Sequence, residues 1–200
     1  MADLNLTEKW KGFEDKVRSC TACGLCQTKS NYVIYRGAVS APLMIVGEAP
    51  GVDEDREGKP FVGLSGKLLQ NALDALGFSK GDYHICNICK CHPPQNRRPT
   101  TEEIKTCKQH FAEQFRIVRP KVILLMGSTA YEAFYGSKPV MHDVRGIFDE
   151  RNGYYIMTTF HPAYALRNPK GKLPIFEDLI KVRQKLVELG LKKEVKNLND

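Results

Sequence analysis

Four cysteines in a split arrangement, Cys20-x2-Cys23 near the start and Cys91-x15-Cys107 well inside the chain, have the residue type and spacing to close around one metal centre. For them to meet, an early segment must fold back onto a central loop. Tetrathiolate sites hold zinc or an iron–sulfur cluster, and spacing alone does not choose between the two. Cys26 competes for a ligand position, because Cys23-x2-Cys26 repeats the first spacing. A 4Fe-4S core bound by four thiolates carries net negative charge, so basic surroundings lower its electrostatic cost; Arg18, Lys90, Arg97, Arg98 and Lys105 lie near the cysteines in sequence. With Cys86 and Cys89 the total is seven. An odd count argues against a disulfide-stapled secreted domain and for a metal site in a reducing cytoplasm.

The elements that must position these groups alternate along the chain. Leu6, Trp10, Phe13 and Val17 give residues from about Leu4 to Arg18 a helical period, after which the cysteine loop begins. Pro42 to Val46 reads as a buried strand stopped by Gly47. Ser65 to Leu76 places Leu68, Leu69, Ala72, Leu73 and Leu76 on one helical face, ended by Gly77. Tyr83 to Ile88, Lys121 to Met126 and Tyr154 to Thr159 read as three further strands. Between them, Thr100 or Thr101 with Glu102 and Glu103 starts the helix that carries Cys107, and Ser128 after Gly127 reads as a helix cap. A closing helix runs from Pro174 to Leu189. Strands separated by such helices imply a three-layer α/β/α sandwich around a mainly parallel four-stranded sheet.

In open α/β sheets ligands sit beyond the carboxyl ends of the strands. Glu48, Asn87 and His161 stand at three such ends, far apart in sequence and on one rim in the fold. Gly47-Glu48-Ala49-Pro50-Gly51 turns sharply off its strand, yet it is neither a Walker A loop nor GxGxxG, which excludes a nucleotide cofactor of those classes. Gly58-Lys59-Pro60-Phe61-Val62-Gly63 holds an aromatic ring just before a helix start, a setting suited to a phosphate and to stacking on a planar base.

The 200 residues are 42% hydrophobic, enough for one core, and residues 1–200 read as a single domain. Thirty basic against twenty-three acidic residues give a formal charge of +7, which favours a polyanionic partner. No run approaches the roughly 18 apolar residues of a membrane span, and the polar start has no secretory pattern, which argues against membrane insertion and export.

Four stretches resemble a known family: GEAPGVDEDREGKPFVGLSGKLL from Gly47 to Leu69, NICKCHPPQNRRP from Asn87 to Pro99, Cys107, and HPAYALRNP from His161 to Pro169. Together with the first cysteine pair they span about three quarters of the chain, in family order. The chain resembles a family-4 uracil-DNA glycosylase, the iron–sulfur branch of the uracil-DNA glycosylase superfamily.

That resemblance implies hydrolysis of the N-glycosidic bond of flipped-out deoxyuridine, leaving an abasic site for base excision repair. It implies one 4Fe-4S cluster on Cys20, Cys23, Cys91 and Cys107, with no redox step and Cys26 outside the ligand set. The cluster-binding parts would be the N-terminal segment and the loop and helix at 89–110. Phe61 would stack on uracil, Asn87 would read its polar edge, and His161 would hydrogen-bond O2 as charge develops there. Gly47 and Glu48 complete the uracil site. Ala49 stands where many superfamily members place an Asp or Asn that activates water, which leaves Glu48, Glu54 and Asp55 as candidates, with ordered backbone groups as an alternative.

Ser65, Lys67, Arg97, Arg98 and Arg167 are candidate DNA contacts, and Leu166 is the side chain with bulk to fill the gap left by a flipped base. The expected partners are uracil-containing single- and double-stranded DNA, met as a monomer in the cytoplasm or at the nucleoid; a sliding clamp or another repair protein is a further partner class. No His-bearing basic insertion is found between Gly63 and His92, and no lysine sits in a motif for attack on the sugar, so turnover without covalent capture is expected. The competing reading is a non-catalytic iron–sulfur module that recognises damaged bases. It accounts for charge, cysteines and ring, and gives no reason for a strand-end His and Asn around a base pocket.

Overall fold

Leu-Met-Ile-Val at 43–46 and Val-Ile-Leu-Leu-Met at 122–126 contain no polar residue, and both form strands buried on two faces. Such runs are the signature of parallel strands covered by helices on either side. The computed structural model describes residues 2–194. Met1, residues 195–200 and the side chains of Ala2, Asp3 and Leu4 lie outside the described residues, so the ends of the expected 1–200 domain do too.

In chain order the elements are α1 (Ala2–Arg18), β1 (Arg36–Gly37), β2 (Leu43–Gly47), α2 (Val52–Glu57), α3 (Leu64–Ala75), β3 (Tyr83–Asn87), α4 (Thr101–Val118) and β4 (Val122–Met126). There follow α5 (Ser128–Tyr135), α6 (Met141–Val144), β5 (Phe148–Arg151), β6 (Tyr154–Thr159), α7 (Pro162–Arg167) and α8 (Lys172–Glu188). The strands form one six-stranded sheet in the order β1-β3-β2-β4-β6-β5. β3, β2, β4 and β6 are mutually parallel, while β1 and β5 pair antiparallel at the two edges.

The three layers are as the sequence implies, but the sheet is mixed and six-stranded rather than mainly parallel and four-stranded. The two added strands escape a search for apolar runs. β1 is two residues long, and β5 reads Phe-Asp-Glu-Arg with its second half exposed. The β5–β6 turn is nonetheless written in the sequence as Asn152-Gly153, whose φ values of 50° and 76° give the doubly left-handed turn that such hairpins require. Gly127 rather than Ser128 is the N-cap of α5.

Side chains alternate across the sheet with period two. Leu43, Ile45, Ile85, Leu124 and Met157 face α3 and α8, where Leu69, Leu73, Leu179 and Val182 meet them. Met44, Val46, Ile123, Leu125 and Ile156 face the other layer, in which Trp10, Phe13 and Val17 of α1 pack with Phe111 and Val118 of α4. α4 begins with a reciprocal cap: Thr100 Oγ1 accepts from Glu103 N at 3.2 Å, and the Glu103 carboxylate accepts from Thr100 N at 2.8 Å. That start matters because Cys107 lies two turns further on.

Candidate active site

The parallel core brings the carboxyl ends of β2, β3, β4 and β6 to one rim, and a cleft of about 700 Å³ opens there. Glu48 follows β2, Asn87 ends β3, and His161 follows β6; all three line the cleft with Phe61. Gly47 and Asn87 are register partners on adjacent strands. A Cβ on Gly47 would stand 2.3 Å from Asn87 Oδ1 and 2.6 Å from Phe61 Cζ, so only glycine lets the ring and the amide approach this turn. Phe61 itself has φ of 56°, uncommon for an aromatic residue, and its ring centre is 5.7 Å from that of His161 at an interplanar angle of 29°.

His161 is the N-cap of α7, and its Nδ1 accepts from Ala163 N at 3.1 Å. An acceptor at Nδ1 puts the proton of a neutral imidazole on Nε2. Burial first, and the Arg167 guanidinium second, lower its pKa from 6.5 to about 4. Near neutral pH this ring is an uncharged donor. Among the described residues, no hydrogen bond occupies the Asn87 amide or the Glu48 carboxylate.

The carboxylates named as candidates for handling water separate sharply. Glu54 Oε1 accepts from Val62 N at 2.9 Å and Gly63 N at 2.8 Å, and Oε2 from Gly51 N at 3.1 Å. It clamps the Phe61 loop onto the turn after β2. Asp55 does not line the cleft; its oxygens accept from Ser30 N and Asn31 N and tie down the segment that leads from the first cysteines. Glu48 alone combines an open carboxylate with a position in the cleft.

Of the candidate DNA contacts, Ser65, Arg97 and Arg167 line the cleft, while Lys67, Arg98 and Leu166 are exposed outside it. Arg97 makes two hydrogen bonds to Glu103, and Arg98 one to Glu132 at 2.6 Å. Arg167 has no carboxylate partner among the described residues. Leu166 is 44% exposed. Residues that sequence reasoning passed over complete the wall: Ser128 and Thr129 after β4, Met141 and His142 of α6, Phe160, and Tyr164. The strand-end rule applied to β4 would have found Ser128, since β4 ends at the same rim; nothing in the sequence marked α6.

Cys20, Cys23, Cys91 and Cys107 converge on a second cavity on the α1–α4 side, together with Cys26, Lys90 and His110. The four thiols influence one another: burial first, then Cys107 and Cys23 beside it, push Cys91 up to about 12, and burial, with Cys107 and Cys20 nearby, raises Cys23. Cys26 enters neither set. Cys89, which sequence spacing left unassigned, lies beside Cys107 and is the first cause of a lowered pKa there. Both ring nitrogens of His110 are buried without a hydrogen-bond partner, an orphaned pair in a cavity ringed by thiols. Among the described residues no three His, Cys, Asp or Glu side chains are grouped tightly enough to hold one metal ion.

Fold and rim together define an α/β/α protein whose cleft at the strand ends brings together an aromatic ring, an amide and an imidazole. The uracil-DNA glycosylase superfamily model matches residues 34–184. The type-4 uracil-DNA glycosylase of Thermotoga maritima is 39% identical over 180 residues, covering 88% of this chain and 94% of that protein. Those of Saccharolobus solfataricus and Archaeoglobus fulgidus are 41% and 38% identical, over 86% and 78% of this chain and 84% and 82% of theirs. The chain belongs to the uracil-DNA glycosylase superfamily, in its type-4 branch.

Proposed function

We infer that the protein is a monofunctional uracil-DNA glycosylase, hydrolysing the N-glycosidic bond of an extruded deoxyuridine to release uracil and leave an abasic site. The target bond is inaccessible inside a duplex, so the nucleotide must leave the stack before it can enter the cleft. Phe61 offers its ring face to the base. Asn87 presents a donor and an acceptor in fixed geometry, matching O4 and N3–H of uracil and mismatching cytosine at both positions.

The observation that carries the reading is the Ala163 N–H held on His161 Nδ1. It leaves Nε2–H as the donor for uracil O2, where negative charge accumulates as the bond breaks. A neutral donor fixed in place strengthens its bond as that charge grows, and it needs no rearrangement at the moment of reaction. Glu48 is the group available to position the attacking water, while Glu54 acts through the loop that carries Phe61.

Cys20, Cys23, Cys91 and Cys107 would hold one 4Fe-4S cluster, which supplies structural ties between the N-terminal segment and the 89–110 loop and helix within one domain, without electron transfer in base release. Thiolates on a polynuclear cluster each bind a different iron, and the four cysteines that line one cavity supply that donor set. Arg167, Arg97, Arg98, Lys67 and Ser65 would meet phosphates, and exposed ion pairs of the Arg98–Glu132 kind are weak enough to be exchanged for them. Leu166, exposed on α7, would fill the gap in the stack.

The test is release of free uracil from DNA carrying labelled deoxyuridine, by protein purified without air. Free uracil and an alkali-labile abasic site are expected. Tight binding to such DNA with no uracil released contradicts the reading.

A further inference from the structure

Five residues, Asn87 to Cys91, run from the base pocket to the cysteine cavity, and Lys90 near their end is 1% exposed. A buried ammonium is costly unless an opposite charge or full hydrogen bonding compensates it. Its Nζ donates to the main-chain oxygen of Asn87 at 2.6 Å and to Gln114 Oε1. Gln114, also fully buried, donates in turn to Ile34 O at 3.2 Å and meets His84 Nε2 at 2.8 Å. His84 Nδ1 is 2.9 Å from Ala38 O and donates to it, which leaves Nε2 as the acceptor for Gln114. Burial keeps this imidazole uncharged, with a pKa of about 3.

Every group that Lys90 Nζ reaches is therefore neutral, and among the described residues no carboxylate pairs with it. Lys90 is at the same time part of the wall of the sulfur-lined cavity. One residue thus lines the cavity that holds Cys107 and Cys91 and grips the pocket strand through its side chain.

We propose that Lys90 is a positioning residue with two linked tasks: its buried ammonium is the counter-charge of the anionic four-thiolate centre, and the same ammonium fixes the main chain of Asn87, and with it the amide that reads the base. The proposal rests on the cluster reading given above. It explains why a cation sits among neutral partners, and it gives the cysteine cavity a physical route to uracil selection that involves no electron transfer. Removing the positive charge should make the centre harder to reduce, and removing the donor should loosen Asn87.

The experiment compares anaerobically purified wild type with Lys90→Met and Lys90→Arg, measuring iron and acid-labile sulfide, reduction potential, single-turnover uracil release and the ratio of cleavage at uracil to cleavage at cytosine. Wild-type protein without iron and sulfide sinks the cluster reading itself. With iron present, Lys90→Met should show a more negative potential, a rate lower by roughly tenfold or more, and a reduced uracil-to-cytosine ratio, at unchanged affinity for DNA. Lys90→Arg keeps the charge and alters the reach, so it should restore the potential while the rate stays low. An iron-replete Lys90→Met with wild-type potential and wild-type rate overturns the proposal. If Lys90→Met loses its iron, Lys90→Arg decides: iron content restored supports the counter-charge role, and a centre equally lost from both variants overturns it.

Discussion

The rim pocket and the cysteine cavity are assembled by different physics. Glu48, Asn87 and His161 meet because each ends a parallel strand, so sheet topology alone brings them together. Cys20 and Cys23 reach Cys91 and Cys107 because α1 packs on α4 and the segment after α1 is tied back, through Asp55 to Ser30 and Asn31 and through Lys90 O to Val33 N at 2.8 Å. The pocket keeps an unpaired amide and carboxylate in a cleft at the strand ends, while the cavity gathers half-buried thiols around a buried cation and an orphaned imidazole. A site made by topology tolerates loss of one side chain; a site made by long-range ties needs its central group to hold them.

Cys107→Ala tests that contrast at its strongest. It should lower iron content, loosen the attachment of the N-terminal segment and abolish most activity together, measured as iron per chain, thermal midpoint and uracil release. Loss of activity with iron and midpoint unchanged would erase the distinction. Asn87→Asp is the converse change. A carboxylate loses the donor for O4 and sets charge beside a developing anion, so the chemical step should fall by about a hundredfold or more, while iron content and midpoint stay near wild type.

The pH profile sharpens the contrast further. His161 has its pKa lowered to about 4 in the folded protein against 6.5 unperturbed. As pH falls through that interval the unfolded chain takes up the proton first, so this group contributes stability above about pH 6.5 that is lost on the way to 4. The single-turnover rate should accordingly hold level through pH 6 and fall only towards 4, and an acid limb near 6.5 would show that the ring is not held neutral. Leu166→Ala should leave single-stranded cleavage near wild type and slow double-stranded cleavage severalfold, read by comparing the two substrates. The smallest effect is expected from Thr100→Ala, which removes half of the reciprocal cap of α4 and should cost about 1 kcal/mol of stability, measured by denaturant titration, with the pocket unaffected.

The parallel core was legible because β2 and β4 are unbroken apolar runs stopped by Gly47 and Gly127, and β3 and β6 carry short apolar centres between helical stretches. The edges were not, since β1 is too short to carry a pattern and β5 is charged on its open side; only Asn152-Gly153 betrayed the hairpin. In the site, strand ends found Glu48, Asn87 and His161 without knowledge of the sheet order. What strand ends cannot supply is the state of a side chain. Glu54 and Asp55 look equivalent to Glu48 in sequence, and it is the backbone amides of Val62, Gly63 and Gly51, and of Ser30 and Asn31, that commit them elsewhere. Likewise Lys90 reads as one more basic residue near cysteines until its burial and its bond to Asn87 are seen.

The central claim is that His161 acts as a fixed neutral donor whose contact strengthens as the glycosidic bond breaks. Single-turnover cleavage of a U·G duplex by His161→Ala, with affinity for the same duplex measured separately, tests it most directly. The account predicts a chemical step slower by about a hundredfold or more, on the order of 3 kcal/mol, with binding changed far less. A His161→Ala protein that cleaves at the wild-type rate would contradict it.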